Sequence, residues 1–357
     1  MDVLASARRI VGPSHVLTIG DLSRFELDWR RRYSGHALAV VLPANTQELA
    51  QIVKLCAAHR TPIVAQGGNT GLVGGGVPDD SGQQLVLSLT RMNRVRSIDS
   101  ANLTMTVEAG CILKMVQDAA DAADLLFPLS LASEGTCTVG GNLASNAGGT
   151  QVLRYGNARE LCLGLEVVTA NGDVWQGLSG LRKDNSGYDL RNIFIGSEGT
   201  LGILAAATLK LFPKPKAKLT ALASCDSLDG ALQLLELARE HLDAGLTAFE
   251  LMSDIALGLV RRHYPALAQP LPPSPWTILL ELSDHDGLTH AQALLEALLG
   301  LGMERAFASN ACVASNLSQA STMWQLRESI PTAQAREGLN IKHDIALPVS
   351  VIPRFVA

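Results

Sequence analysis

The sequence predicts an α+β chain folded as two domains, and three observations predict it. Apolar runs of strand length alternate with helix-period patterns along all 357 residues, a length that suits two domains at ~150 residues each. A proline- and lysine-rich break, PKPKAK at 213–218, interrupts the alternation and is the best boundary. Glycine is unevenly distributed: 14 of the 32 glycines fall within 67–76, 135–149 and 196–202, all before the break. The expected domains are therefore 1–215, with a core of about 36–215, and 216–357.

In the first domain the run ALAVVL at 37–42 reads as a strand, closed by Pro43. Asn45-Thr-Gln-Glu48 has capping-box spacing and opens a helix over 46–58, with Leu49, Ile52, Val53, Cys56 and Ala57 on one face. Further strands are expected at 61–65, 85–89, 104–109, 163–169 and 203–212, and a helix at 112–124. After the break come strand 219–224, helix 228–242, strand 246–252, helix 254–263 and a proline-rich loop at 265–275. Strand 276–283, helix 287–300 and strand 303–308 follow, so a βαβ unit, an insertion and a second βαβ unit give a ferredoxin-like layout. A long helix at 317–336 and a strand near 341–346 come next, and Ser350 reads as an N-cap with Pro353 in the first turn of another helix. A helix opening there leads us to expect a piece of a longer protein.

Composition excludes several function classes. Hydrophobic residues make up 47% and charged residues 18%, with a net charge of −5, so no basic footprint for nucleic acid or an anionic membrane is present. No stretch approaches the ~18 apolar residues of a membrane span. The N-terminus lacks a basic segment followed by an apolar one, which leads us to expect a cytoplasmic protein. The six cysteines are scattered without a C-x-x-C pair, the pattern of reduced, packed thiols, and no metal site is expected in this chain.

The glycine clusters are the candidate site. The first, Gln66-Gly-Gly-Asn-Thr-Gly-Leu-Val-Gly-Gly-Gly76, directly follows a strand and can aim consecutive backbone N–H groups at an anion. It matches neither the Walker A nor the G-x-G-x-x-G pattern. A ligand-free tight turn is the bland alternative, but six glycines in ten residues exceed what a turn requires. The second cluster, from Pro128 to Gly149, alternates small hydroxyl and amide side chains with glycine and can lie flat against a planar polar ligand. A buried crossover of small residues is its alternative. The third, Gly196 to Ile203, again precedes an apolar strand. Three clusters in one domain suit an extended ligand such as a dinucleotide.

The segments QGGNTGLVGGG, PLSLASEGTCTVGGNLASNAGG, RYGN at 154–157 and LRKDNSGYDLRNIFIGSEGTLGI at 181–203 together resemble the FAD-linked oxidoreductases of the vanillyl-alcohol oxidase type. Within that family the chain is most similar to the D-2-hydroxyglutarate and D-lactate dehydrogenase branch. The resemblance implies a two-subdomain FAD-binding (PCMH-type) domain followed by a ferredoxin-like substrate or cap domain whose C-terminal end is incomplete. It implies that Gly67, Gly68, Asn69, Thr70 and Gly71 hold the FAD pyrophosphate, with Gly74 and Gly75 close by. Pro128, Gly135, Thr136, Thr138, Gly141, Asn142, Asn146 and Gly148 would wrap the flavin, and Glu198, Gly199, Gly202 and Ile203 would run along the cofactor. Asn69 stands where covalent-flavin members often carry histidine, implying non-covalent FAD.

Oxidising a 2-hydroxy acid needs a cation for the carboxylate, a base for the hydroxyl proton and a site where hydride passes from C2 to flavin N5. Trp324-Gln-Leu-Arg327-Glu-Ser-Ile-Pro331-Thr resembles the family segment carrying the carboxylate-binding arginine, which implies that role for Arg327. Ile341-Lys-His-Asp344 resembles the next site segment, with Lys342 as a second cation. Alone, each would read as a solvated charge. Pro331 stands where the hydroxyglutarate enzymes often have threonine or serine, and Thr332, one position later, is carried as the third substrate-binding candidate. The family's H-x-G-D-G-N-x-H segment does not occur before Ala357, so the base histidine, and ligands for a divalent metal such as zinc, are expected beyond it. The implied partners are a small 2-hydroxy acid and an electron acceptor, a quinone or an electron-transfer protein; a homodimer is carried as an expectation. The alternatives are an FAD-binding subunit of a multi-subunit oxidoreductase such as a glycolate oxidase complex, or an oxidase of another alcohol.

Overall fold

The computed structural model describes residues 2–356. The chain divides into two compact units: one runs to Lys214 except for Thr150–Arg154, and the other comprises those residues and everything from Pro215 onward.

The first unit holds two main sheets and a two-stranded ladder, Leu125–Leu126 with Phe212–Pro213. In the smaller main sheet, Ala37–Val41, Gln84–Ser88 and Ile63–Gln66 lie parallel in that order, with Val16–Leu17 antiparallel at the edge. Parallel strands need a crossover, and helix Thr46–His59 carries the chain from Ala37–Val41 to Ile63–Gln66, on the far side of Gln84–Ser88. Asn45 caps this helix by accepting from the Glu48 N–H, while Glu48 accepts in return from the Ala44 N–H. Leu49, Ile52, Val53 and Cys56 are buried as the periodicity predicts, but Ala57 stays exposed at the edge of a cleft. The larger sheet is antiparallel, in the order Val95–Asp99, Thr104–Glu108, Gly202–Lys210, Cys162–Thr169, Val174–Gly177. Its two edge strands, Val95–Asp99 and Val174–Gly177, carry no apolar run, which is why periodicity misses them.

The second unit is one antiparallel sheet in the order Leu246–Ser253, Trp276–Asp284, Ala217–Cys225, Asn310–Val313, the ferredoxin-like arrangement. Strand alternation divides its faces. Ala221, Ala223, Ile278 and Leu280 pack on helices Leu228–Leu242 and Leu288–Glu304. Leu222, Leu279 and Met252 pack on the opposite side with Leu257, Met323, Leu326 and Ala333.

Four expectations are corrected in this unit. The strand placed at 303–308 is the end of a helix, which continues to Glu304, and its C-terminal turn; the strand is Asn310–Val313. The helix expected to end at 300 runs on through Gly302, which is buried where a Cβ would lie 2.9 Å from Leu234 Cδ1, so helix–helix packing overrides propensity. The helix placed at 317–336 is two, Leu317–Glu328 and Ile330–Glu337. Pro331 has no N–H to donate to the carbonyl of Arg327, and the ladder breaks there. The segment 341–346 has no sheet partner among the described residues and forms no strand, with Ile341 and Ile345 exposed. Ser350 lies inside a 3-10 turn, Val349–Val351, ahead of helix Ile352–Val356, and is not its N-cap.

All six cysteines are free, five of them buried. Burial pushes the thiols of Cys56, Cys111 and Cys225 up to about 11, which keeps them protonated and inert. Glu108 is the opposite case. Burial alone would raise its carboxyl, but hydrogen bonds from Arg94 together with the charges of Arg94 and Arg96 hold it below the ordinary glutamate value. A depressed folded-state pKa contributes stability above the unfolded value that is lost as pH falls through the folded one. Thermal unfolding should therefore shift to lower temperature on acidification, and Glu108→Gln should flatten part of that dependence while costing roughly 1–3 kcal/mol at neutral pH, as read by calorimetry across pH.

Candidate functional site

In the first unit the three glycine clusters form one wall. Strand Ile63–Gln66 delivers the first loop, and the buried Gln66 side chain closes it by donating from Nε2 to the carbonyls of Gly76 (2.6 Å) and Phe25 (2.9 Å). Asn69 sits in the left-handed region at φ 51°, and its Nδ2 donates to the carbonyls of Arg24 and Leu27. The second cluster presses directly on this loop. A Cβ on Gly67 would stand 2.2 Å from Thr138 Oγ1, and one on Gly68 would stand 2.1 Å from the Thr136 carbonyl oxygen. No side chain fits at either position, so glycine is demanded by close approach.

The second cluster contains a short helix, Val139–Ala144, that the sequence pattern does not mark. The third hangs on its end through Gly196 N–H to Leu143 O (3.0 Å) and Glu198 N–H to Ala144 O (2.9 Å). Arg159, which no sequence pattern picks out, ties the two together: its guanidinium donates to the carbonyls of Asn192 and Ile195, and its N–H to Asn146 Oδ1. The Glu198 carboxylate lies beside Gly75, whose Cβ would be 3.6 Å from Oε2. Gly199, Gly202 and Ile203 line a cleft of about 190 Å³ with Val53, Cys56, Ala57, Ile63 and Ala65. Pro128 is buried, whereas Gly71, Gly135 and Thr136 are exposed at loop tips and Gly141 is exposed on the short helix; Thr70, Gly74 and Gly148 are half-buried along the loops.

Two buried polar atoms in this wall lack a partner among the described residues: Thr138 Oγ1 and Asn142 Nδ2, on residues 3% and 5% exposed. Buried donors and acceptors are nearly always satisfied, so an unpaired hydroxyl and an unpaired amide in a wall of close-packed glycine loops point to an absent polar ligand. A nucleotide-linked planar group fits that donor set.

The cations expected on the substrate side lie in the second unit. Arg327 is in the last turn of Leu317–Glu328, half-buried, with Nε donating to Glu250 Oε2 at 2.7 Å. Lys342 Nζ donates to Gln334 Oε1 at 3.1 Å. The Thr332 hydroxyl is already occupied, donating to Ser329 O and accepting from Tyr264, which counts against a substrate role. His343 is exposed in coil, whereas His263 is bonded to Glu337 and His290 to Asp284. Among the described residues one group of three metal-ligand types converges, Asp284, Asp286 and His290; the buried Asp284 carboxylate is taken by two backbone N–H groups and His290 Nδ1.

A mixed α+β unit with a glycine-walled nucleotide cradle, followed by a ferredoxin-like unit bearing half-buried cations, defines a flavoprotein oxidoreductase scaffold. The model of an FAD binding domain matches residues 37–177, and that of the FAD linked oxidases' C-terminal domain matches 214–357. The chain is 38% identical over 353 residues to the mitochondrial D-2-hydroxyglutarate dehydrogenase of Arabidopsis thaliana, covering 98% of this chain and 62% of that protein. It is 38% identical over 337 residues to the D-2-hydroxyglutarate dehydrogenase of Xanthomonas citri pv. viticola, covering 94% and 70%. Among solved structures, p-cresol methylhydroxylase shares the fold, a flavoenzyme of the PCMH type, with a TM-score of 0.73 at 19% identity over 91% of this chain and 68% of that one. The chain belongs to the family of FAD-linked oxidases that includes the D-2-hydroxyglutarate dehydrogenases.

Two substitutions test the cradle. Gly68→Ala should abolish retention of yellow cofactor while far-ultraviolet circular dichroism is preserved. Thr138→Val should weaken FAD binding roughly 5- to 10-fold, the worth of one hydrogen bond, without lowering the melting temperature of the apoprotein, since the hydroxyl has no protein partner to lose.

Proposed function

We propose that this chain forms the FAD-binding and substrate-binding parts of a dehydrogenase that oxidises a D-2-hydroxy acid to the 2-oxo acid. The observation that carries the reading is Arg327: a half-buried guanidinium pinned by one edge, with both Nη groups lacking a protein partner among the described residues. Relatives named as D-2-hydroxyglutarate dehydrogenases, at 38% identity, support it, although the chain spans 62% of the Arabidopsis relative's length.

FAD, when bound, supplies the two-electron acceptor that no amino acid provides. The chain's own residues do the rest. Backbone N–H groups of the Gly67–Gly71 loop are suited to the pyrophosphate. Thr138 and Asn142 offer their unpaired hydroxyl and amide to the flavin, and the apolar cleft beside Gly199 and Ile203 suits the adenine. Asn69, occupied in tying down the loop, offers no nucleophile for a covalent link, in keeping with non-covalent FAD. Arg327 holds and orients the carboxylate of the substrate, and Lys342 adds positive charge. Pro331 has neither hydroxyl nor N–H, and Thr332 is engaged elsewhere, which favours a substrate with one carboxylate, such as D-lactate, over D-2-hydroxyglutarate. Electrons then leave to a quinone or an electron-transfer protein.

Anaerobic mixing of the full-length holoprotein with D-lactate, glycolate and D-2-hydroxyglutarate should bleach the flavin band with at least one of them. No bleaching with any would remove the proposal. Arg327→Ala should raise KM roughly 10- to 100-fold, as loss of a charged hydrogen bond predicts, with FAD content unchanged.

A further inference from the structure

We propose that Glu250 is the positioning residue for the substrate-side guanidinium, holding Arg327 by its Nε edge so that the two Nη groups are presented to a carboxylate. The proposal rests on the reading of Arg327 given above and adds a residue that no sequence motif marks.

Glu250 Oε2 accepts from Arg327 Nε at 2.7 Å, and the two side chains are 23% and 32% exposed. Glu250 stands on strand Leu246–Ser253, in register with Leu279 of the neighbouring strand. Leu279 belongs to the apolar layer that also holds Met323 and Leu326, the residues next to Trp324 and Arg327 on the helix. The carboxylate is therefore offered from a rigid element. A guanidinium has five N–H donors, and one bond through Nε leaves four of them, on the two Nη atoms, for a bidentate acceptor. A long, rotamer-rich side chain fixed in this way meets its ligand with its conformational freedom already removed.

The helix itself does not depend on this pair. One turn earlier, Trp324 Nε1 donates to Glu281 Oε2 at 3.1 Å. Glu281 is buried on the adjacent strand, opposite Ala248, and its other oxygen takes Lys218 Nζ (3.0 Å) and Thr247 Oγ1 (3.2 Å). Two glutamates thus meet one helix with separate tasks: Glu281 anchors it, and Glu250 aims Arg327.

The test uses the FAD-loaded full chain and four variants: Glu250→Gln, Glu250→Asp, Glu281→Gln and Arg327→Ala. Oxalate serves as the carboxylate probe, its dissociation constant read from the flavin absorbance shift, with melting temperature and FAD content measured alongside. Glu250→Gln should weaken oxalate about tenfold, the scale of one charge-assisted hydrogen bond, with melting temperature and FAD content unchanged. Glu250→Asp should recover part of that loss, because a carboxylate is restored. Glu281→Gln should lower the melting temperature and leave oxalate affinity in place. Unchanged affinity in Glu250→Gln, beside a loss in Arg327→Ala, would overturn the positioning role alone. Unchanged affinity in Arg327→Ala, or no oxalate binding by the parent protein, would overturn the reading of Arg327 and this proposal with it.

Discussion

The first unit depends on one close approach: the backbone of Gly67 and Gly68 lies where a Cβ would overlap Thr138 Oγ1 and the Thr136 carbonyl. That contact brings residues some seventy positions apart into a single surface. The third cluster is then added by main-chain hydrogen bonds to Leu143 and Ala144, and Arg159 locks the result. Backbone N–H groups fixed in this manner need no ordering when a phosphate arrives, so less of the binding free energy is lost to entropy. The orphaned Thr138 hydroxyl and Asn142 amide lie on the same wall, which is where a polar ligand would satisfy them.

In the second unit the governing constraint is charge beside an apolar layer. Burying a carboxylate is unfavourable unless it is paired and hydrogen-bonded, and the sheet face under helix Leu317–Glu328 carries two, Glu250 and Glu281. Each is answered by a side chain from that helix, one turn apart. Pro331 then breaks the helical ladder at the carbonyl of Arg327, which places the arginine in the last turn of its helix, with helix Ile330–Glu337 resuming after Ser329.

Much of this was legible in the sequence. The helices Leu228–Leu242 and Asp254–His263 match their expected bounds, because capping residues and apolar periodicity agree there. The glycine clusters, too, announce a ligand loop through residue type alone. The failures have local causes. Phe307 and Ala308 imitate the end of a strand, yet they follow a helix that runs through two glycines to Glu304, with Gly302 packed against Leu234. Ile341 and Ile345 have strand-like spacing but no neighbouring strand to pair with. The edge strand Val95–Asp99 is polar and exposed, and only its partner Thr104–Glu108 makes it a strand.

By itself the sequence determined the α+β class, the order of most elements, the three loops able to approach a cofactor, and a family resemblance that the relatives bear out. These depend on residue type and on neighbours a few positions away, and such information survives in a linear chain. Only the tertiary structure decided that Thr332 is engaged by Tyr264, that Thr138 and Asn142 are left unpaired, and that Glu250 meets Arg327 across 77 positions. Those outcomes turn on strand register and helix placement, which bring a donor within 3 Å of an acceptor or leave it without one, and no local pattern encodes that distance.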